Sequence, residues 1–371
     1  MRDYLLRVIN GKEDDYKAKV VRILLNLLAF IYRGLLKLRV LVYKLGIKKS
    51  KDLCSKVISI GNITVGGTGK TPLVKFLATE FKENNLKSVI LTRGYKSDNK
   101  DALTVVSDGQ EVLVDANQAG DEAYLLARHL EDVPVIAGKQ RSLTGDYACR
   151  KFEPDFIILD DGFQHWQLNR DYDIVVIDGT NPFSNGALLP AGLLREPIIS
   201  LKRAHAFVIT KTDQITGKKV AEIKQEIRDY NSDAVIITTR HRPGYLRDIG
   251  CSKHEKIELK DKRVVAVSGI GNPESFTETL TSLEAEVVKH FKFADHYQYD
   301  TDDIMEIYTT ATTEDIDMII TTEKDAVSIE TADFSEIVKG ELPFKVLGIE
   351  IEILDSRAKF LELLEDLEVS E

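Results

Sequence analysis

Cysteine is scarce in this chain: three in 371 residues, at positions 54, 149 and 251. Their number is odd, they share no short spacing, and they form neither a zinc pattern nor a recognisable disulfide framework. Such usage suits a reducing compartment. Histidine is sparse too, with seven residues and no H-E-x-x-H pair. Acidic residues are missing altogether from Lys17 to Lys51, where ten residues are Lys or Arg. The remaining 336 residues carry the other 40 basic side chains and all 60 acidic ones, a net of −20. An acidic body with one basic arm argues against a nucleic-acid partner. A secretory signal is not expected: Asp3, Glu13 and Asp14 precede the apolar run and no small-residue cleavage site follows it. The N-terminus carries no myristoylation pattern.

Apolar and charged fractions are those of a globular protein, and the length calls for about two domains. The basic arm is also greasy. Its longest uncharged run, Ile23–Tyr32, has ten residues; as helix that is about 15 Å, roughly half a bilayer core, too short to span. On a helical wheel Lys19, Arg22, Asn26, Arg33, Lys37 and Lys44 share one narrow sector, and most of the rest is apolar. This is the pattern of a helix lying in a membrane interface and attracted by anionic lipids. A helix packed on the body, with its basic stripe turned to solvent or to the acidic body, is the competing reading.

The richest stretch is Ser59-Ile-Gly-Asn-Ile-Thr-Val-Gly-Gly-Thr-Gly-Lys-Thr-Pro72. A strand (Lys56–Ile60) enters a glycine-rich turn that ends in Gly69-Lys70-Thr71, and an apolar-periodic helix follows. That context is what a phosphate-binding loop requires. Thr64, Val65, Gly66, Gly67, Thr68 and Gly69 form the cradle, Lys70 reaches the β- and γ-phosphates, and Thr71 offers a hydroxyl to Mg²⁺. The usual pattern has glycine where this chain has Thr64.

Short apolar strands then recur between helices: Ser88–Thr92, Val133–Ala137, Phe156–Leu159, Ile174–Ile177 and Phe207–Ile209. They predict an α/β fold of P-loop type, a mostly parallel sheet with helices on both faces. A second, smaller α/β series follows a polar stretch at 240–260. The expected organisation is 1–50 as a membrane-interface helix, 51–245 as the nucleotide-binding domain, 246–355 as a second α/β domain, and 356–371 as a C-terminal helix.

In such sheets chemistry gathers beyond the carboxyl ends of strands. Asp160 and Asp161 end one strand and suit the Mg²⁺-holding role. Thr210-Lys211-Thr212-Asp213 has the form of a base-reading loop, with Lys211 and Asp213 as its contacts, although a surface turn explains it equally. Arg195 and Glu196, after a glycine-containing segment, offer a cation for transferring phosphate and a further metal ligand. Asp121 and His296 are candidates, from position alone, for the base that orients an acceptor hydroxyl.

Taken in order, these motifs resemble the tetraacyldisaccharide 4′-kinase family of lipid A biosynthesis. The resemblance runs from about residue 18 to 330. It rests on the phosphate loop, Thr92-Arg-Gly-Tyr95, Gly120-Asp-Glu122, Asp160-Asp-Gly-Phe-Gln-His165, the Leu188–Pro197 segment, Ser268-Gly-Ile-Gly-Asn-Pro273, Asp295-His296 and Thr322-Glu-Lys-Asp325. Thr64 is the family's habit. The resemblance implies an ATP- and Mg²⁺-dependent kinase, peripheral on the cytoplasmic face of the bacterial inner membrane, acting on the 4′-hydroxyl of an acylated glucosamine disaccharide 1-phosphate. It implies Asp121 as base paired with His296 from the second domain, Arg195 as transition-state cation, and Asp161 and Glu196, with Asp160, as metal-site acids. A membrane-recruited P-loop GTPase or ATPase switch is the alternative, carried by Thr210–Asp213. A non-enzymatic tether leaves the phosphate loop unexplained.

Overall fold

The computed structural model describes residues 2–9, 11–94, 101–251, 253–295, 297–331 and 342–355. His296, Tyr95 and the helix expected over 356–371 lie outside the described residues. The chain divides into two compact units, each discontinuous in sequence: Met1–Val74, Arg141–Arg240 and Glu352–Glu371 form one, Lys75–Gln140 and His241–Ile351 the other.

Two helices open the chain, α1 (Arg2–Ile9) and α2 (Tyr16–Lys44). Asp15 caps α2, its carboxylate accepting the Ala18 N–H at 2.7 Å, a contact worth about 1 kcal/mol. Strand β1 (Lys56–Gly61) leads through the phosphate loop into α3 (Lys70–Glu83). Then come β2 (Ser88–Thr92), β3 (Thr104–Ser107), α4 (Ala116–Ala119), α5 (Asp121–His129), β4 (Val135–Ala137) and α6 (Arg141–Phe152). Strands β5 (Phe156–Asp160), β6 (Tyr172–Asp178) and β7 (Ala206–Thr210), helix α7 (Gly217–Tyr230) and the long β8 (Val235–Asp248) follow. The chain continues through β9 (Arg263–Ser268), α8 (Pro273–Ser282), β10 (Glu286–Lys292), α9 (Thr301–Thr313), β11 (Met318–Thr322), α10 (Glu323–Thr331) and β12 (Phe344–Ile353).

In the first unit the order β5-β1-β6-β7-β8 is parallel throughout. Every residue of β5 and β7 is buried, as expected for strands covered on both faces. Register sets Asp160 beside Ile60, so the acidic strand end and the phosphate loop leave the sheet at the same level. Gly61 makes this tight: a Cβ there would stand 2.5 Å from the Phe163 Cβ. In the second unit β10-β9-β11-β12 are parallel, while β2 and β4 pair in parallel and β3 runs antiparallel to β4.

Helix α2 lays a narrow stripe on the first unit, with Ala29 buried and Leu25, Tyr32 and Leu36 packed around it. Much of its remaining apolar surface is exposed, including Ile23 at 69% and Phe30 at 74%. No described helix is long and apolar enough to cross a membrane.

Strand β8 runs into the polar stretch at 240–260 and ends at Asp248; the two units divide between Arg240 and His241. The strand's charges are matched by β12, Arg240 with Glu352 and Arg242 with Glu350; ion pairs between neighbouring strands replace the apolar alternation that marks a half-buried strand. The cysteine expectation needs correction: Cys54 and Cys149 form a disulfide, with 6.0 Å between Cα atoms, leaving Cys251 free and exposed. Ninety-five residues separate the pair, and only the packing of α6 near the start of β1 brings them together.

Candidate active site

The phosphate loop is held open by its backbone. Gly66 and Gly69 have φ of +129° and +87°, conformations that glycine adopts without a Cβ penalty. An added Cβ at Gly66 or Gly67 would find no heavy atom within 4 Å, so the backbone there is free for close approach by a ligand. Helix α3 has no acidic side chain in its first turn, which leaves its N-terminal dipole available to an anion. The Thr68 hydroxyl is buried without a hydrogen-bond partner among the described residues.

The loop is braced from several sides of its own unit. Val65 N–H donates to the Leu193 carbonyl at 2.8 Å and Arg195 N–H to the Ile63 carbonyl at 2.7 Å. Asn62 is buried; its Nδ2 donates to the Thr64 carbonyl at 2.7 Å and its own carbonyl accepts the Gln164 amide at 2.8 Å. The Thr210 hydroxyl donates to the Thr68 carbonyl at 2.9 Å.

Lys70 lies 3.5 Å from Asp161 and 3.4 Å from the Asn62 amide oxygen. The Arg195 guanidinium reaches both Asp161 oxygens, at 2.7 and 2.9 Å, and approaches Gln164. Burial works to raise the Asp161 carboxyl, but the Lys70 and Arg195 cations outweigh it and hold it below the usual carboxylate range. Asp161 adopts φ +54°, so its side chain departs from the strand line that buries Asp160. Lys70, Asp161 and Arg195, which the sequence singled out separately, are thus one cluster.

Other expected residues sit differently. Glu196 is buried and bidentate with Arg203, at 2.6 and 3.0 Å. Arg203 also stacks 3.6 Å above the Phe163 ring and donates to the Phe163 carbonyl. Lys211 turns its ammonium to Asp178 and to the Gly67 carbonyl, bracing the cradle, while Asp213 is exposed. Sequence reading missed Asn62, Arg203 and Asp178. A polar residue at a strand's carboxyl end was the available signal for Asn62 and Asp178; nothing local marked Arg203.

Among the described residues no three His, Cys, Asp or Glu side chains converge as a metal cage. Mg²⁺ on a nucleotide does not need one, since phosphates and waters complete its shell around one or two protein ligands. Thr71 with Asp160 or Asp161 fits that requirement, and the loop fits a triphosphate.

The second unit carries Asp121 as the first residue of α5, after Gly120 at φ +84°. Helix α5 packs against α10, which begins inside the Thr322–Asp325 motif. Asp325 is buried and accepts from Gly269 N–H at 2.9 Å and from the Thr322 hydroxyl at 2.6 Å, joining two motifs far apart in sequence. Lys324 pairs with Asp295 at 2.6 Å. Asp121 therefore belongs to the same unit as Asp295 and Tyr297, which flank His296; the sequence had led us to expect opposite domains.

Beside them lies a buried ionic cluster. Burial raises the Glu323 carboxyl, but the Lys75 ammonium at 3.4 Å, with the Tyr245 hydroxyl, holds it below its usual range. Burial pushes His129 down to about 3, against the pull of Glu323 and with help from Lys75 and Arg247. Unfolding returns the imidazole to about 6.5. Between those values the unfolded chain binds a proton that the native one does not, so stability falls as pH drops from about 6.5 toward 3. Thermal melts across this range should show a steeper loss in the wild type than in His129→Gln; parallel curves would contradict the assignment.

The tetraacyldisaccharide-1-P 4′-kinase family model matches residues 21–368. A tetraacyldisaccharide 4′-kinase of Halothermothrix orenii is 43% identical over 364 residues, covering 95% of this chain and 94% of that protein. One from Syntrophus aciditrophicus is 36% identical over 356 residues, 93% of each. The crystal structure of LpxK from Aquifex aeolicus in complex with ATP aligns with a TM-score of 0.74 at 30% identity, covering 93% of this chain and 99% of that one. With its phosphate loop, its Asp161–Arg195–Lys70 cluster and a likeness spanning nearly its whole length, the chain belongs to the tetraacyldisaccharide 4′-kinase family.

Proposed function

We propose that this protein transfers the γ-phosphate of ATP to the 4′-hydroxyl of a tetraacylated glucosamine disaccharide 1-phosphate, a step of lipid A biosynthesis. The observation that carries the reading is the convergence of Lys70 and Arg195 on Asp161 beside an open phosphate cradle. Two cations at that place oppose the charge that builds on the transferring phosphoryl group. Lys70 spans the β- and γ-phosphates, and Arg195, released from Asp161, follows the phosphoryl oxygens. Thr71 with Asp160 or Asp161 would hold Mg²⁺, which would supply charge neutralisation on the phosphates. Glu196, gripped by Arg203, acts here by shaping the Arg195 segment. Asp121 takes the proton of the acceptor hydroxyl, with His296 as its partner. Labelled ATP and the tetraacyl disaccharide 1-phosphate test the reaction: phosphate should appear at the 4′-position, and ATP hydrolysis without transfer would favour the nucleotide-switch alternative.

The acceptor is a lipid, and α2 supplies the means to meet it. Its exposed Ile23, Leu27, Phe30, Ile31 and Leu35 stand beside a basic stripe, which supports peripheral binding to an anionic membrane surface; the cytoplasmic face of an inner membrane is the location we propose. Each Lys or Arg near an anionic surface adds about 1 kcal/mol. Deleting residues 1–46 should abolish co-sedimentation with phosphatidylglycerol-containing vesicles; binding that survives the deletion would exclude α2 as the anchor.

A further inference from the structure

Helix α2 touches the catalytic cluster through two polar side chains that tethering alone does not require. On the stripe that packs against the body, the Tyr32 hydroxyl donates to the main-chain carbonyl of Arg195 at 2.9 Å. Two turns further along, Arg39 Nη2 donates to the main-chain carbonyl of Gln164 at 2.8 Å. The recipients are neighbours in function. Arg195 reaches Asp161 with its guanidinium, and Gln164 holds the Asn62 carbonyl with its amide nitrogen while its Oε1 lies 3.4 Å from Arg195.

The Arg195 peptide is gripped on both sides. Its N–H is spent on Ile63, the residue before Thr64, and its carbonyl on Tyr32. A guanidinium on a long flexible stem loses aim when its main chain shifts, and misplacement by about 1 Å can cost on the order of a hundredfold in rate. Tyr32 is partly buried with its ring on the core, and a tyrosine so placed keeps a partner for its hydroxyl; this one takes the carbonyl at the root of the Arg195 side chain.

We propose that α2 is part of the catalytic apparatus as well as a tether, with Tyr32 as a positioning residue that fixes the main chain from which Arg195 reaches the transferring phosphate. The proposal rests on the kinase reading of Arg195. It makes turnover depend on how the helix is seated on the body, even when no bilayer is present.

The test is transfer from ATP to tetraacyl disaccharide 1-phosphate in detergent mixed micelles, comparing wild type, Tyr32→Phe, Arg195→Ala and the double variant. Tyr32→Phe keeps the ring that packs on the core and removes only the hydroxyl. It should lower kcat by about fivefold, the size of one lost hydrogen bond. KM for both substrates and co-sedimentation with anionic vesicles should stay at wild-type values. In the Arg195→Ala background the same change should cost nothing more, because partners in one network are not additive. An unchanged kcat in Tyr32→Phe overturns the proposal, and so does an equal loss with Arg195 already removed. A wild-type protein that transfers no phosphate overturns the kinase reading itself, and the proposal with it.

Discussion

Lys70→Ala should lower phosphoryl transfer by about 10³-fold while the protein remains folded. The ammonium sits where α3 begins, 3.5 Å from Asp161 and 3.4 Å from Asn62. Removing one preorganised donor from a transition-state charge costs roughly 10²–10³ in turnover, and this donor also carries a full charge toward the β- and γ-phosphates. The fold has little at stake. Alanine is a good helix former, and Asp161 keeps both contacts with Arg195. Transfer rates and a thermal melt together decide the matter. A variant that keeps more than a tenth of its activity would remove Lys70 from the phosphate site.

Asp121→Asn should lower turnover by about 10²–10⁴-fold, the usual contribution of a positioned base. The substitution keeps the side chain's size and polarity, and it removes the negative charge together with the ability to take a proton. Asp121 opens α5, where a carboxylate gains up to about 1 kcal/mol from the helix dipole, so the melting temperature should move little. The phosphate loop is built from other residues, and KM for ATP should therefore hold. If Asp121→Asn works at close to the wild-type rate, the acceptor proton leaves by another route.

Much of this arrangement was legible in residue order because it is local. The phosphate loop, the strand end at Asp160–Asp161 and the start of α5 each carry their own strand, turn or cap signals within a few residues. The Arg195–Asp161 pair did not, since its members lie 34 residues apart and meet only through the pairing of residues 193–195 with the start of the phosphate loop. Glu196 has a partner that sequence order does not mark: Arg203, seven residues on, holds its carboxylate. The disulfide and the unbroken course of β8 escaped for a related reason: each depends on what a neighbouring element brings, and neither leaves a mark in its own segment.

The interleaving of the two units constrains how the chain comes into being. Strand β1 takes as neighbours β5 and β6, and the sheet that supports the phosphate loop is complete only with β7 and β8. At roughly 5–20 residues per second, about 9–36 s of synthesis separate Lys70 from the end of β8. The segment Lys75–Gln140 waits longer still, for partners that reach Ile351. Through that interval the greasy face of α2 is already outside the ribosome. Until β8 arrives, that face and the unpaired strand edges leave the nascent chain open to aggregation.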